Sequence, residues 1–257
     1  MELGISTSCL YPLPTEDSLI TLGEMGVKTC EIFLNSPSET TPDFARYLNK
    51  IKDSYGMKIV SVHPFSSFAE THMLFGNYER RFLDMLEFYK RHFETVSVLG
   101  ADITVIHGAK SYCKIGNEAY FERFSKLIEA GKEFGVRVCQ ENVFDHYSQN
   151  PEFLKDMRNA LGDDFKMVFD VKQSVRAGFS PYEMAEEFKH SIVHVHLSDN
   201  GNQCDCLPPS KGCFDFKRLF SILESADYEG SGVIELYRQN YGTTDELAES
   251  LTYLRNL

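Results

Sequence analysis

Apolar positions along the chain gather in short, β-branched runs separated by longer stretches of helical periodicity. The runs are LGIST (3–7), VKTCEIF (27–33), KIVSVH (58–63), DITVIH (102–107), VRVCQE (136–141), KMVFD (166–170), SIVHVH (191–196) and SGVIEL (231–236). Each has the length and residue types of a buried strand. Capping signals open the helical stretches between them. Thr15 is read as the cap of a first helix ending near Gly26, and Thr41-Pro42 as a cap with proline in the first turn. Asn150-Pro151 and Ser180-Pro181 repeat that pattern. Other helices are expected over 77–98 and 117–134, from about Asp215, and after Thr243 or Thr244.

Strand–helix alternation implies a parallel sheet with right-handed crossovers. Eight units in 257 residues, a mean repeat of about 32, match a single (β/α)8 TIM barrel over residues 1–257. An open doubly wound sheet usually places a glycine-rich turn after its first strand. The segment LGISTSCLYPLP has none.

Charge narrows the functional classes. With 26 Lys+Arg against 38 Asp+Glu the net charge is −12. An acidic chain repels phosphate backbones, so no nucleic-acid partner is expected. No apolar run approaches the ~20 residues of a membrane span. The N-terminal segment lacks the basic start and apolar core of a secretory signal. Seven scattered cysteines read as reduced thiols, which predicts a cytoplasmic protein. A homo-oligomer is compatible with all of this.

In a (β/α)8 barrel, chemistry belongs at the C-terminal ends of the strands. Runs three to eight end in or near His63, His107, Glu141, Asp170, His196 and Glu235. Six successive ends with imidazole or carboxylate side chains are the donor set of a divalent-metal site, converged by the barrel mouth.

The segments FDVKQSVRAG (169–178), HVHLSDN (194–200), LPPSKGCFDF (207–216) and GVIEL (232–236) resemble the xylose-isomerase-like barrel superfamily. That superfamily includes sugar-phosphate isomerases and epimerases and the family 2 apurinic-site endonucleases. The resemblance covers essentially the whole chain in strand order. It implies one divalent metal held by Glu141, Asp170, His196 and Glu235, with Mn2+ or Mg2+ favoured and Zn2+ a further option. It also implies that Glu141 and Glu235 are the catalytic acid and base of a carbohydrate isomerase or epimerase. A metal would stabilise the enolate oxygen while the carboxylates remove and return the proton. The expected partner is a small sugar-like substrate.

The endonuclease branch holds three zinc ions. By resemblance, His63 and His107 join Glu141 as a second metal site. The third set is replaced here by Gln173, Cys204 and Cys206. Gln173 stands where similar epimerases carry a substrate-binding histidine, so it is assigned to substrate. Two alternatives stay open: a two-metal hydrolase or phosphodiesterase, and a non-catalytic sugar- or metal-binding barrel. There is no Gly-rich phosphate loop, so a phosphorylated substrate is not implied.

The remaining candidates are of lesser weight. His194 is read as buried and structural, Asp199 as orienting His196 or capping a loop, and Glu31 as a substrate-binding or structural group. His72, His92, His146 and His190 are expected on the surface. Phe33, Phe65 and Tyr237 are candidates for a pocket wall, and Lys110 and Arg238 for an anion contact.

Overall fold

The computed structural model describes residues 1–202 and 204–257. Each apolar run forms one strand. They are β1 (Glu2–Ser6), β2 (Thr29–Phe33), β3 (Lys58–His63), β4 (Ile103–Ile106), β5 (Arg137–Glu141), β6 (Met167–Asp170), β7 (Ile192–Leu197) and, last in the chain, β10 (Ser231–Ile234). Between β7 and β10 lies a small antiparallel hairpin, β8 (Asp199–Gly201) with β9 (Cys204–Leu207). The eight barrel strands are all parallel and close in the order β1-β10-β7-β6-β5-β4-β3-β2. The fold is the expected (β/α)8 TIM barrel.

Helices α1 (Thr15–Glu24), α2 (Pro42–Tyr55), α3 (Glu70–Met73), α4 (Glu79–Leu99), α5 (Asn117–Lys132), α6 (Pro151–Leu161), α7 (Val171–Arg176), α8 (Pro181–Phe188), α9 (Phe216–Glu224) and α10 (Thr244–Arg255) accompany the strands. The caps of α2, α6 and α8 form as read: Thr41, Asn150 and Ser180 each accept a backbone N–H of the first turn. A cap of this kind is worth about 1 kcal/mol. Thr243 and Glu246 close a reciprocal capping box on α10. Thr15 departs from expectation. The N-cap of α1 is Pro14, and Thr15 Oγ1 instead bonds Phe33 O and Glu39 Oε2 at 3.2 and 3.0 Å. It ties α1 to the loop after β2.

Side-chain alternation along the strands decides what meets inside the barrel. Thr104 faces outward to His92 of α4, so its neighbours Ile103 and Val105 point inward. These two join Cys139 and Val168 in a small buried cluster separate from the main core between strands and helices. Two residues further along β5 and β6, on the same face, come Glu141 and Asp170. The barrel's apolar plug therefore lies directly beneath the layer of strand-end side chains. No described helix is long and apolar enough to cross a membrane.

His92 and His146 correct the sequence reading, because both are buried rather than on the surface. His92 lies at helical spacing with Met85, Tyr89 and Val96 on the buried face of α4. Its Nε2 stands 2.6 Å from Thr104 Oγ1. His146 packs beside His107, ring centroids 5.9 Å apart, where the loop after β5 folds over the mouth. His72 and His190 are exposed.

Candidate metal centre and adjoining cavity

The strand-end residues converge at the C-terminal mouth in three overlapping groups. They are His63, His107 and Glu141; Glu141, Asp170, His196 and Glu235; and Glu31, His194 and His196. Within each group one donor atom per residue lies within 4.8 Å of the others.

The first group joins β3, β5 and the loop after β4. His63 Nδ1 lies 3.2 Å from Pro64 O, which assigns the proton to Nδ1 and leaves Nε2 bare. That nitrogen faces His107 Nε2 at 2.8 Å, and His107 Nε2 is 3.0 Å from Glu141 Oε2. Burial opposes charge on His107, and the Glu141 carboxylate overcomes this to raise its pKa. Glu141 Oε2 is buried without a well-oriented hydrogen bond. Two imidazole nitrogens aimed at one orphaned carboxylate oxygen are a donor set that fits a borderline cation such as Zn2+. Phe33 stacks on the His63 ring at 4.3 Å and fixes its plane. Beneath them, buried Glu70 accepts from Gly108 N at 2.6 Å and from Tyr89 Oη at 2.8 Å, steadying the backbone next to His107. Gly108 has φ 89°, and a Cβ there would fall 2.0 Å from Tyr120 Oη.

The second group surrounds His196. Its Nδ1 is 3.1 Å from Glu141 Oε1, 3.4 Å from Glu235 Oε2 and 3.6 Å from Asp170 Oδ2. Its Nε2 is 3.0 Å from Glu31 Oε2. Asn142 brackets the Asp170 peptide, donating to its carbonyl at 2.9 Å and accepting from its N–H at 2.8 Å. Asp170 Oδ1 caps α7 by accepting from Gln173 N at 3.1 Å. Three carboxylates and one imidazole, all buried or nearly so, are a mostly hard donor set. They fit a divalent ion in kind and in convergence. The demand for positive charge at their centre is visible in the side chain that meets it. The Lys172 ammonium pairs with both Asp170 and Glu235. The sequence reading passed over Lys172.

Electrostatics follow from this crowding. Burial works against ionised Glu141, but His107, His196 and His63 hold its carboxyl well below the usual range. Burial likewise opposes Glu235, and the charges of Lys172 and His196 bring it down. For Asp170, desolvation by burial keeps the pKa raised despite the charge of Lys172. Lys172 is itself buried, yet the carboxylates of Asp170 and Glu235 outweigh desolvation and hold its ammonium charged.

The third group lies one layer deeper and crosses the barrel. Glu31 of β2 accepts from Ser6 Oγ at 3.0 Å and Ser61 Oγ at 2.8 Å. His194 Nε2 is 3.3 Å from the same carboxylate, and His194 Nδ1 is 3.2 Å from Ser231 Oγ. His194 is thus a buried member of a polar network. Glu31 matters more than its position near the end of β2 announces, because it holds the face of His196 turned away from the other carboxylates.

A cavity of about 290 Å3 opens beside the second group, with Tyr11, Phe33, Asn35, Tyr237, Lys172 and Glu235 in its wall. Phe33 and Tyr237 thus line it as expected, whereas Phe65 packs on Phe88 at 5.3 Å. Glu141 and Gln173 do not reach this wall. Gln173 Oε1 accepts from Phe144 N at 3.1 Å and pins the loop after β5. Arg238 donates to Tyr241 O and Gly242 O, and Lys110 pairs with Asp145. Asp199 accepts from the backbone of Asn200, Ser210, Gly212 and Phe214, which ties the 210–214 segment back onto β8. Among the described residues, Cys204, Cys206 and Cys213 join no metal-competent group, and all seven cysteines are free. A larger hollow, about 420 Å3, lies at the other end of the barrel against Met1, Leu3 and Thr29 and holds none of the three groups.

Residues 21–257 match the Xylose isomerase-like TIM barrel family. The chain belongs to that family. Among curated relatives, an uncharacterized protein of Methanocaldococcus jannaschii, MJ1311, is 24% identical over 254 residues, 93% of this chain and 84% of that one. An inosose dehydratase of Histophilus somni is 28% identical over 135 residues, 44% of this chain and 45% of that one. Among solved structures, the 3-keto-D-glucoside 4-epimerase YcjR of E. coli superposes with TM-score 0.81 at 16% identity over 100% of both chains. The IolI protein with a bound zinc atom gives TM-score 0.77 at 18% identity, over 99% of this chain and 96% of that one. At these identities the two structures attest the fold of this family member.

Proposed function

We propose that this family member is a cytoplasmic carbohydrate isomerase or epimerase that moves a proton next to a carbonyl group. The observation that carries the reading is the convergence of Glu141, Asp170, His196 and Glu235 beside a sugar-sized cavity walled by Phe33 and Tyr237. Its similarity to a 3-keto-D-glucoside 4-epimerase and to an inosose dehydratase supports an enzyme of this class.

In this reading Glu141, Asp170, His196 and Glu235 hold a divalent ion, Mn2+ or Mg2+ by donor type, which would polarise the substrate carbonyl when bound. Glu235, on the cavity wall, takes the proton from the carbon beside the carbonyl. Glu141, at the same His196 nitrogen but off the cavity wall, is assigned the delivery of a second proton, which it first takes from solvent while Glu235 releases its own to solvent. Delivery to the other face of the same carbon epimerises; delivery to the neighbouring carbon isomerises. Phe33 and Tyr237 cover the apolar faces of the ring and exclude water. Gln173 acts on substrate only through the loop that it pins.

The test is deuterium wash-in from heavy water across a panel of ketoses and inositol-derived ketones. Expected is exchange at a carbon next to the carbonyl of one substrate class, abolished in Glu235→Gln. Loss of water in place of exchange, read as a new conjugated-ketone absorbance, would instead assign a dehydratase. Absence of both across the panel would overturn the reading. A two-metal phosphodiesterase draws on the His63, His107 and Glu141 group and would show as cleavage of a phosphodiester in Zn2+.

A further inference from the structure

Lys172 lies two residues after Asp170, in the first turn of α7, the helix that Asp170 itself caps. This turn brings the lysine back over the strand end. Its Nζ bonds Asp170 Oδ2 and Glu235 Oε2. These are the same two oxygens that face His196 Nδ1, at 3.6 and 3.4 Å. The ammonium therefore occupies the oxygens that a metal ion bound with His196 would need. Two shared oxygens would force ammonium and ion into close approach, and like charges so placed in a buried site repel strongly.

We propose that the Lys172 ammonium and a divalent ion are alternative occupants of the Asp170–Glu235 cage, so that metal enters only by expelling a resident side-chain cation. The proposal rests on the assignment of those residues as ligands in the reading above. Packing decides where the lysine goes. Glu31 and His194 are fully buried on the inner side, whereas Lys172 already borders the cavity, with its Nζ 6.0 Å from the Tyr237 ring centroid. An expelled ammonium moves toward that ring and into the space assigned to substrate. There it meets substrate oxygens instead of carboxylates. Metal loading and substrate binding are then coupled, because a substrate oxygen that pairs with Lys172 stabilises the arrangement that admits the ion.

The same geometry fixes the consequences of removing the lysine. Without it the cage holds carboxylates with no resident cation, and a divalent ion becomes their principal partner. Any ion that binds only the folded protein raises its melting temperature. The experiment is a Mn2+ titration of the full chain, followed by the electron-spin-resonance signal of free Mn2+, with thermal melts alongside. It compares wild type, Lys172→Met and Lys172→Arg, each also carrying His107→Ala to silence the neighbouring group. Expected is at least tenfold tighter Mn2+ binding in Lys172→Met than in wild type. Lys172→Arg, which keeps the cation, stays as weak as wild type. The melting temperature of Lys172→Met is expected to fall without Mn2+ and to rise more than that of wild type when Mn2+ is added. Should Lys172→Met not fold without metal, refolding that succeeds only with Mn2+ reports the same dependence, and Lys172→Gln repeats the titration. Equal or weaker Mn2+ binding in the lysine-free variants overturns the proposal, as does the absence of binding in all of them. These readouts contain no substrate. A failed wash-in assay with the Mn2+ contrast intact removes only the isomerase reading. Successful wash-in with no contrast removes only this inference.

Discussion

Glu31 Oε2 lies 3.0 Å from His196 Nε2, and this contact across the barrel turns the other ring nitrogen toward Glu141, Asp170 and Glu235. A carboxylate on the far nitrogen fixes the tautomer and raises the basicity of a ligating imidazole. Burial opposes charge on Glu31, but His196 and His194 hold its carboxyl well below the usual range. Glu31→Gln keeps the shape and loses the charge. We expect it to weaken metal binding by roughly 10–100-fold while the fold persists. Calorimetric titration of Mn2+ into the variant checks this, and unchanged affinity would remove Glu31 from the site.

The His63–His107–Glu141 group supports a separate expectation. Its two imidazole nitrogens face each other at 2.8 Å beside an oxygen with no well-oriented bond, a geometry that a shared cation relieves. Wild type should take up one more equivalent of Zn2+ than His107→Ala, as measured by elemental analysis after dialysis. Equal stoichiometry in both proteins would count against a site there.

His92 predicts an acid-labile step in stability. Thr104 Oγ1 donates to Val62 O and accepts from His92 Nε2, so His92 Nδ1 is the bare nitrogen. It is buried with no partner, and a proton there would have nothing to bond. Burial, assisted by the nearby His63, lowers its pKa from 6.5 to about 3. The unfolded chain binds this proton below about 6.5 and the folded chain only near 3. The associated stability is therefore whole above pH 6.5 and is lost progressively as pH falls toward 3. His92→Gln, at the same position in α4, should flatten that part of the curve by a few kcal/mol, because each pH unit of the interval is worth ~1.4 kcal/mol. Urea midpoints of both proteins between pH 7 and pH 4 decide it; parallel curves would exclude His92 as a cause.

What the sequence revealed and what it hid have physical reasons. The barrel was legible because each strand announces itself by a β-branched run, and the mouth because His63, His107, Glu141, Asp170, His196 and Glu235 end or closely follow those runs. Lys172 was missed because a lysine two residues past a strand end reads as a solvated charge. Only the capping of α7 by Asp170 turns it back into the cage. Glu31 was underrated because its partner is 165 residues away and across the barrel, a pairing that no local pattern records. His92 was misplaced although its spacing from Met85, Tyr89 and Val96 put it on the buried stripe of α4. The β8–β9 hairpin went unread because its strands, Asp199–Gly201 and Cys204–Leu207, contain no β-branched residue.

The last expectation separates ligand from acid–base partner. Glu141 and Glu235 each approach His196 Nδ1, at 3.1 and 3.4 Å, but only Glu235 borders the cavity. In the proposed reaction both carry protons. Glu141→Gln and Glu235→Gln each keep one ligating oxygen and lose basicity. A general acid or base contributes ~10²–10⁴-fold in rate, so each variant should lose proton exchange by that factor. His196→Ala removes a ligand without removing either carboxylate, so its loss arises from low metal occupancy, which added metal restores in part. Assays at saturating Mn2+ distinguish the two cases. Exchange should return partly in His196→Ala and remain lost in both glutamine variants. If Glu141→Gln recovers near-wild-type exchange there while Glu235→Gln does not, Glu141 is a ligand alone. The proton then returns either from Glu235 itself, on the face it left, or from another group on the cavity wall such as the Lys172 ammonium.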